Sequence, residues 1–268
     1  MARRQPRKGI FLALTLLSLL ALCAACSPDK ASAYQRAVTL FGQGDFAGAA
    51  TAFERLGDYS EAITYAAYSK GLVLFEQGNY AEAEPYFEQS QHFMYGASRY
   101  AYCHASVLET AGTFGEAADL FLSLGDFEDA VLHGSYCKGR DAEANKKYET
   151  ALDAYRAAGQ YADAPTRLDN LQTQVYYYAT ELKSDGRFEQ ALNLFGRLGD
   201  YFDSPEQAKE CKEFFRAQLY EDAEALERDG FLEQAYKAFQ GLSGYSDAEI
   251  RAQELANKLG IKEEDPEE

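Results

Sequence analysis

Between residues 33 and 248, apolar and small positions recur in a fixed order, separated by polar ones. An Ala-x-x-x-aromatic pair stands at Ala49/Phe53, Ala83/Phe87, Ala117/Phe121, Ala151/Tyr155, Ala191/Phe195 and Ala235/Phe239, with the alanines 34, 34, 34, 40 and 44 residues apart. Three residues before each alanine comes Phe46, Tyr80, Phe114, Tyr148, Phe188 or Leu232; six after each aromatic comes Tyr59, Phe93, Phe127, Tyr161, Tyr201 or Tyr245. Upstream lies a second set of small residues, Ala37, Gly71, Ala105, Gly139, Ala179 and Ala223, each followed three residues later by Leu40, Leu74, Leu108, Ala142, Leu182 or Leu226. Spacings of three and four put such pairs on one face of a helix, so each repeat predicts two helices. Gly44, Gly78, Gly112, Gly186 and Gly230 separate the first helix from the second, because glycine enters a left-handed turn at little cost. "LGDY" or "LGDF" then ends the second helix, and Asp58, Asp126 and Asp200 are placed to cap the next one, Asp58 with Glu61 at capping-box spacing. Insertions of 6 and 10 residues, with Pro165 and Pro205, predict longer first helices in repeats five and six. Pro85 predicts a local kink in the second helix of repeat two.

These residues resemble the tetratricopeptide repeat, whose helix-turn-helix unit carries a small residue in its first helix and an Ala-x-x-x-aromatic pair in its second. The resemblance covers roughly residues 33–248 and departs from the family in lacking tryptophan and in placing the "GDY" aromatic where a proline is usual. It implies an all-α, right-handed superhelical solenoid of about six repeats, followed by a polar capping helix over residues 246–259. A lone helix pair cannot bury both its faces, so each repeat must offer the next the same contact surface of small and large residues. The repetition is a packing requirement first.

One further set recurs in all six repeats: Tyr34, Tyr68, Tyr102, Tyr136, Tyr176 and Tyr220, each three residues before the small residue of the first helix. On a helical wheel they flank the packing strip. In the tetratricopeptide family that flank lines a concave groove where peptides bind, so the resemblance implies a partner-binding role. The alternative is packing, with each ring edge-on between helices and its hydroxyl bonded to backbone. Seven residues after each tyrosine come Phe41, Phe75, Glu109, Glu143, Lys183 and Glu227, which predicts a groove that is aromatic in the first two repeats and mainly acidic beyond. A matching protein or peptide would bring an apolar anchor to the aromatic end and basic groups to the rest.

The start of the chain is of another kind. Arg3, Arg4, Arg7 and Lys8 precede a thirteen-residue apolar run, Ile10 to Leu22, and "CAAC" ends at Cys26. The run is shorter than a membrane-spanning helix requires. It resembles a bacterial lipoprotein signal, which implies export, cleavage of residues 1–25 and attachment of lipid to Cys26; an uncleaved anchor and ordinary secretion are the alternatives. Residues 26–32 then form a tether, 33–259 the repeat domain and 260–268 an acidic, disordered tail. The protein is thus expected on the extracytoplasmic face of the bacterial cell membrane.

Composition adds exclusions. A formal charge of −17 over 268 residues opposes nucleic acid as a partner. "GQGDFAG" holds the outline of a dinucleotide fingerprint, but a helix rather than a strand precedes it. His92, His104 and His133 form no zinc-ligand spacing, and no nucleophile motif is present. Cys103, Cys137 and Cys211 hold one repeat position and read as small core residues. No metal, cofactor or enzymatic activity is therefore expected. The expected function is a peptide- or protein-binding scaffold; a structural subunit of an envelope assembly is the alternative, and a small-ligand sensor or enzyme the third.

Overall fold

A computed structural model describes residues 29–261. The expected signal, the lipidation position Cys26 and nearly all of the acidic tail lie outside the described residues. Every regular element among the described residues is an α-helix, in the order α1 (Lys30–Gly42), α2 (Phe46–Glu54), α3 (Ala62–Glu76), α4 (Tyr80–Gln89), α5 (Gly96–Ala111), α6 (Phe114–Ser123), α7 (Ala130–Ala144), α8 (Tyr148–Ala158), α9 (Ala164–Ser184), α10 (Phe188–Leu198), α11 (Ser204–Arg228), α12 (Leu232–Gln240) and α13 (Ala248–Leu259). Odd-numbered helices through α11 open a repeat, even-numbered ones close it, and α13 follows the sixth. No helix among the described residues is long and apolar enough to cross a membrane. Two compact bodies divide the chain after Ala130. In the first, α1 to α6 each pack on the next; in the second, α8 to α13 do the same.

The recurring pairs are the centre of each repeat. All six alanines of the Ala-x-x-x-aromatic pairs are fully buried, and their aromatic partners are at most 1% exposed. Facing them are the small residues of the first helices. A Cβ on Gly71 would come within 2.8 Å of the Phe87 ring, and one on Gly139 within 2.6 Å of the Tyr155 ring. Small and large positions are therefore complementary halves of one contact, sixteen residues apart along the chain. Cys103, Cys137 and Cys211 are buried with them, and burial pushes the Cys103 thiol up to about 12, away from a reactive thiolate.

The helix punctuation follows the expected glycines only in part. Gly44, Gly78, Gly112, Gly186 and Gly230 adopt φ values of 74–86° between the two helices of a repeat. After the second helix two residues take positive φ: a glycine in five repeats, Gly57, Gly125, Gly159, Gly199 and Gly244 with φ of 57–76°, and then a residue that is not glycine, Ser60, Met94, Glu128, Ala162, Phe202 and Ser246 all having φ of 48–51°. A lone non-glycine residue there costs roughly 1–2 kcal/mol. Tight seating of the following helix offsets it, since Ala62, Gly96, Ala130, Ala164, Ser204 and Ala248 are all small and buried, and each donates its N–H to the carbonyl of the "GDY"-position aromatic. Asp58, Asp126 and Asp200 do not cap these helices. The next helix starts four residues after each of them, with Glu61 or Asp203 at the cap of α3 or α11 and no side-chain capping bond there. Pro165 and Pro205 do lie in the first turns of α9 and α11, which run to 21 and 25 residues against 13–16 for the earlier first helices.

Candidate functional site

The tyrosine of each first helix is seated by its own repeat. Tyr34, Tyr68, Tyr102, Tyr136, Tyr176 and Tyr220 each meet the second-helix aromatic nineteen residues later, with ring centroids 5.2–6.3 Å apart. Tyr68, Tyr102 and Tyr136 are buried; Tyr34, Tyr176 and Tyr220 are half-buried. The Tyr68 hydroxyl meets the Tyr95 backbone as well as Arg99, while in the later repeats the hydroxyls go to carboxylates. Tyr102, Tyr136, Tyr176 and Tyr220 donate to Asp129, Asp163, Asp203 and Asp247, in each case the residue immediately before the next repeat's first helix or, for Asp247, before α13. Against burial, which favours its neutral form, the hydrogen bonds from Tyr136 and Arg167 hold the Asp163 carboxyl below the usual range. The bond from Tyr176, joined by Gln207, does the same for Asp203. Burial first, and the bond to Asp129 second, push the Tyr102 hydroxyl up, so it remains a donor. The tyrosines thus tie each repeat to its successor, which is a packing role for every one of them.

The residues seven positions further on meet a partner too, twenty-four residues along the chain. Phe41 packs against Tyr65 with centroids 5.4 Å apart. Phe75 lies under the guanidinium of Arg99, 5.7 Å from ring centre to charge. Glu143 accepts from Arg167 at 3.2 Å and also from the Tyr155 hydroxyl. Lys183 donates to Gln207 at 2.6 Å and pairs with Glu210. Glu227 accepts from Arg251 at 2.6 Å, with Lys258 at 3.8 Å. Glu109 is half-buried. Hence the charge that Glu143 and Glu227 would offer a basic partner is already met by arginines of the repeat stack.

The aromatic end differs. In the N-terminal body a cleft of about 640 Å³ is lined from three successive first helices, by Phe41, Leu72, Phe75 and Arg99, together with Phe46 and Tyr95. Tyr68 contributes its edge, and its hydroxyl accepts from Arg99 Nη1 at 2.9 Å. Met94 and Tyr95, at the turn into α5, are 56% and 66% exposed, high for large apolar side chains. The sequence-predicted residues Phe41, Tyr68 and Phe75 are therefore brought together, whereas Tyr34 turns instead to Phe53, Tyr59 and Tyr65. Reading the sequence missed Arg99, Met94 and Tyr95. A signal existed for the first: Arg99, Arg167 and Arg251 each stand four residues after the residue that precedes their helix.

No group of three or more His, Cys, Asp or Glu side chains is arranged to hold a metal among the described residues. His104 binds Glu84 at 2.8 Å and stacks on Tyr100, an arrangement complete in itself.

Residues 34–98 match the tetratricopeptide repeat family. That stretch spans the first two repeats and most of the cleft, ending one residue short of Arg99. No curated protein matches the chain.

Proposed function

We propose that this all-helical repeat chain, whose residues 34–98 match the tetratricopeptide repeat family, works as a binding scaffold that receives an extended segment of a partner protein in the aromatic cleft of its N-terminal body. Repeats of this family generally bind protein partners. The observation that carries the reading is the concentration of Phe41, Phe46, Phe75 and Tyr95 in one open cleft, while the corresponding face of the C-terminal body is closed by internal ion pairs. Aromatic residues in such clefts supply most of the binding energy of protein interfaces. We further propose that the scaffold is held to the extracytoplasmic face of a bacterial membrane by lipid on Cys26; the basic start, the short apolar run and the small residues before Cys26 support this.

Capture of partners from cross-linked cells tests the first part. Phe75→Ala with Tyr95→Ala should lose the partner that the unaltered protein retains, while melting as one cooperative unit. Retention of the same partner by this variant would place binding on another surface. Mass spectrometry of the mature N-terminus tests the second part: a diacylglyceryl cysteine at position 26 is expected, and a native chain starting at Met1 overturns it.

A further inference from the structure

Arg99 is an arginine whose carboxylate is missing. At the same place in later helices Arg167 holds Glu143 and Asp163, and Arg251 holds Glu224 and Glu227. Arg99 has no acidic partner among the described residues. Its guanidinium carbon lies 5.6–5.8 Å from the ring centres of Tyr68, Phe75, Tyr95 and Phe127, and among the described residues the Tyr68 hydroxyl is the acceptor it reaches. Its Nε is shielded from solvent and finds no acceptor among the described residues. A guanidinium carries five N–H donors and stays charged at every working pH. Holding it among rings without a paired carboxylate is unfavourable, so the guanidinium favours an anionic acceptor in the cleft.

Two features narrow the occupant. Apolar residues lie both on the preceding helices, Phe41 and Phe75, and one turn before Arg99, Met94 and Tyr95, so the occupant is apolar on both sides of its anion. Glu76 and Glu128 also line the cleft. Two carboxylates at its edge repel a run of acids and leave room for one. Resting on the proposal that this cleft receives a peptide segment, we infer that the segment carries a single Asp or Glu flanked on both sides by apolar residues, with its carboxylate on Arg99. This is the reverse of the basic partner expected from Glu109, Glu143 and Glu227.

The test uses the repeat protein with N-acetylated, C-amidated octapeptides whose flanks are apolar and whose central residue is Glu, Gln or Lys, read by fluorescence anisotropy at fixed ionic strength. The Glu peptide should bind at least about tenfold tighter than the Gln peptide, and the Lys peptide weaker still. Arg99→Gln should abolish that preference while melting no lower than the unaltered protein, because it removes an unpaired charge; Arg167→Gln should keep the preference. Three central Glu residues in place of one should weaken binding. If Glu and Gln peptides bind alike and Phe75→Ala releases both, the cleft binds peptide but the inference fails. If a Gln peptide with a free C-terminus matches the amidated Glu peptide, the carboxylate belongs to a chain end and the internal placement is overturned. Absence of binding by every peptide overturns the inference and the cleft proposal together.

Discussion

Phe75 with Arg99 in the N-terminal body and Glu143 with Arg167 in the C-terminal body occupy one repeat position, and they differ by what faces the arginine. Glu143 answers Arg167 in kind, at 3.2 Å, and both side chains are only about 30% exposed. Phe75 offers Arg99 a ring face instead. An ion pair with good geometry satisfies its own hydrogen bonds and offers little to a visitor; a cation over aromatic faces remains an unfilled hydrogen-bond donor. The same backbone therefore carries an ion-paired arginine in one body and an arginine among rings in the other, through Phe75 and Tyr95 in place of Glu143 and Asp163.

The strongest way to break the comparison is to break what the two bodies share. Gly71→Leu and Gly139→Leu should each lower stability by about 3 kcal/mol or more, because the first added carbon already overlaps the Phe87 or Tyr155 ring. Denaturant midpoints of both variants should fall together; a shift in one alone would show that the helix contact is not common to the bodies. Next comes Glu143→Leu, which strips Arg167 and the Tyr155 hydroxyl of an acceptor. A loss of about 1–2 kcal/mol is expected, below the value for a fully buried pair because solvent reaches both partners and Asp163 still holds Arg167 at 3.0 Å. Calorimetric melting should register it.

Phe75→Glu sharpens the contrast by copying the closed junction into the cleft. Stability should change by less than about 1 kcal/mol, since a lost ring contact is offset by a new ion pair. Capture of the partner should nevertheless fall to background. Undiminished capture would show that closure by an ion pair does not govern access.

The smallest effect concerns pH. Asp163 has its pKa held below the unfolded value, so it contributes stability above about pH 4 that is lost as pH falls through its folded pKa. Tyr95, a phenol in place of the carboxyl, stands at the corresponding place in the N-terminal body. Asp163→Asn should thus flatten the acid limb of the stability curve by under about 1 kcal/mol, the side chain being half exposed. An unchanged acid limb in urea titrations would remove Asp163 from the account.

Much of this architecture could be read from the chain. Ala49/Phe53 and its five counterparts marked the second helices because close helix contact admits only small residues, and the aromatic must fill the space beside them. Gly71 and Gly139 belong to the same logic. Cys103, Cys137 and Cys211 were legible as core because they repeat at a core position. The capping role assigned to Asp58, Asp126 and Asp200 was not correct. Composition marks a cap, but the left-handed residues at Ser60, Glu128 and Phe202 start each helix three residues later than such a cap would.

By itself, then, the sequence determined what depends on spacing within a helix or a turn: the helix pairs, their small and large faces, and the glycine breaks between them. Those features need only three or four residues of local periodicity. Tertiary structure alone decided what depends on which side chain arrives from the neighbouring helix. A helical wheel places Tyr68, Tyr102 and Tyr136 beside the packing strip, but only the next repeat covers them and supplies the aspartates, 27 residues away, that hold Tyr102 and Tyr136. Whether an arginine meets Glu143 or Phe75 is likewise settled across 24 residues and two helices, where the helical period carries no information. That meeting separates an ion-paired junction from an open aromatic cleft.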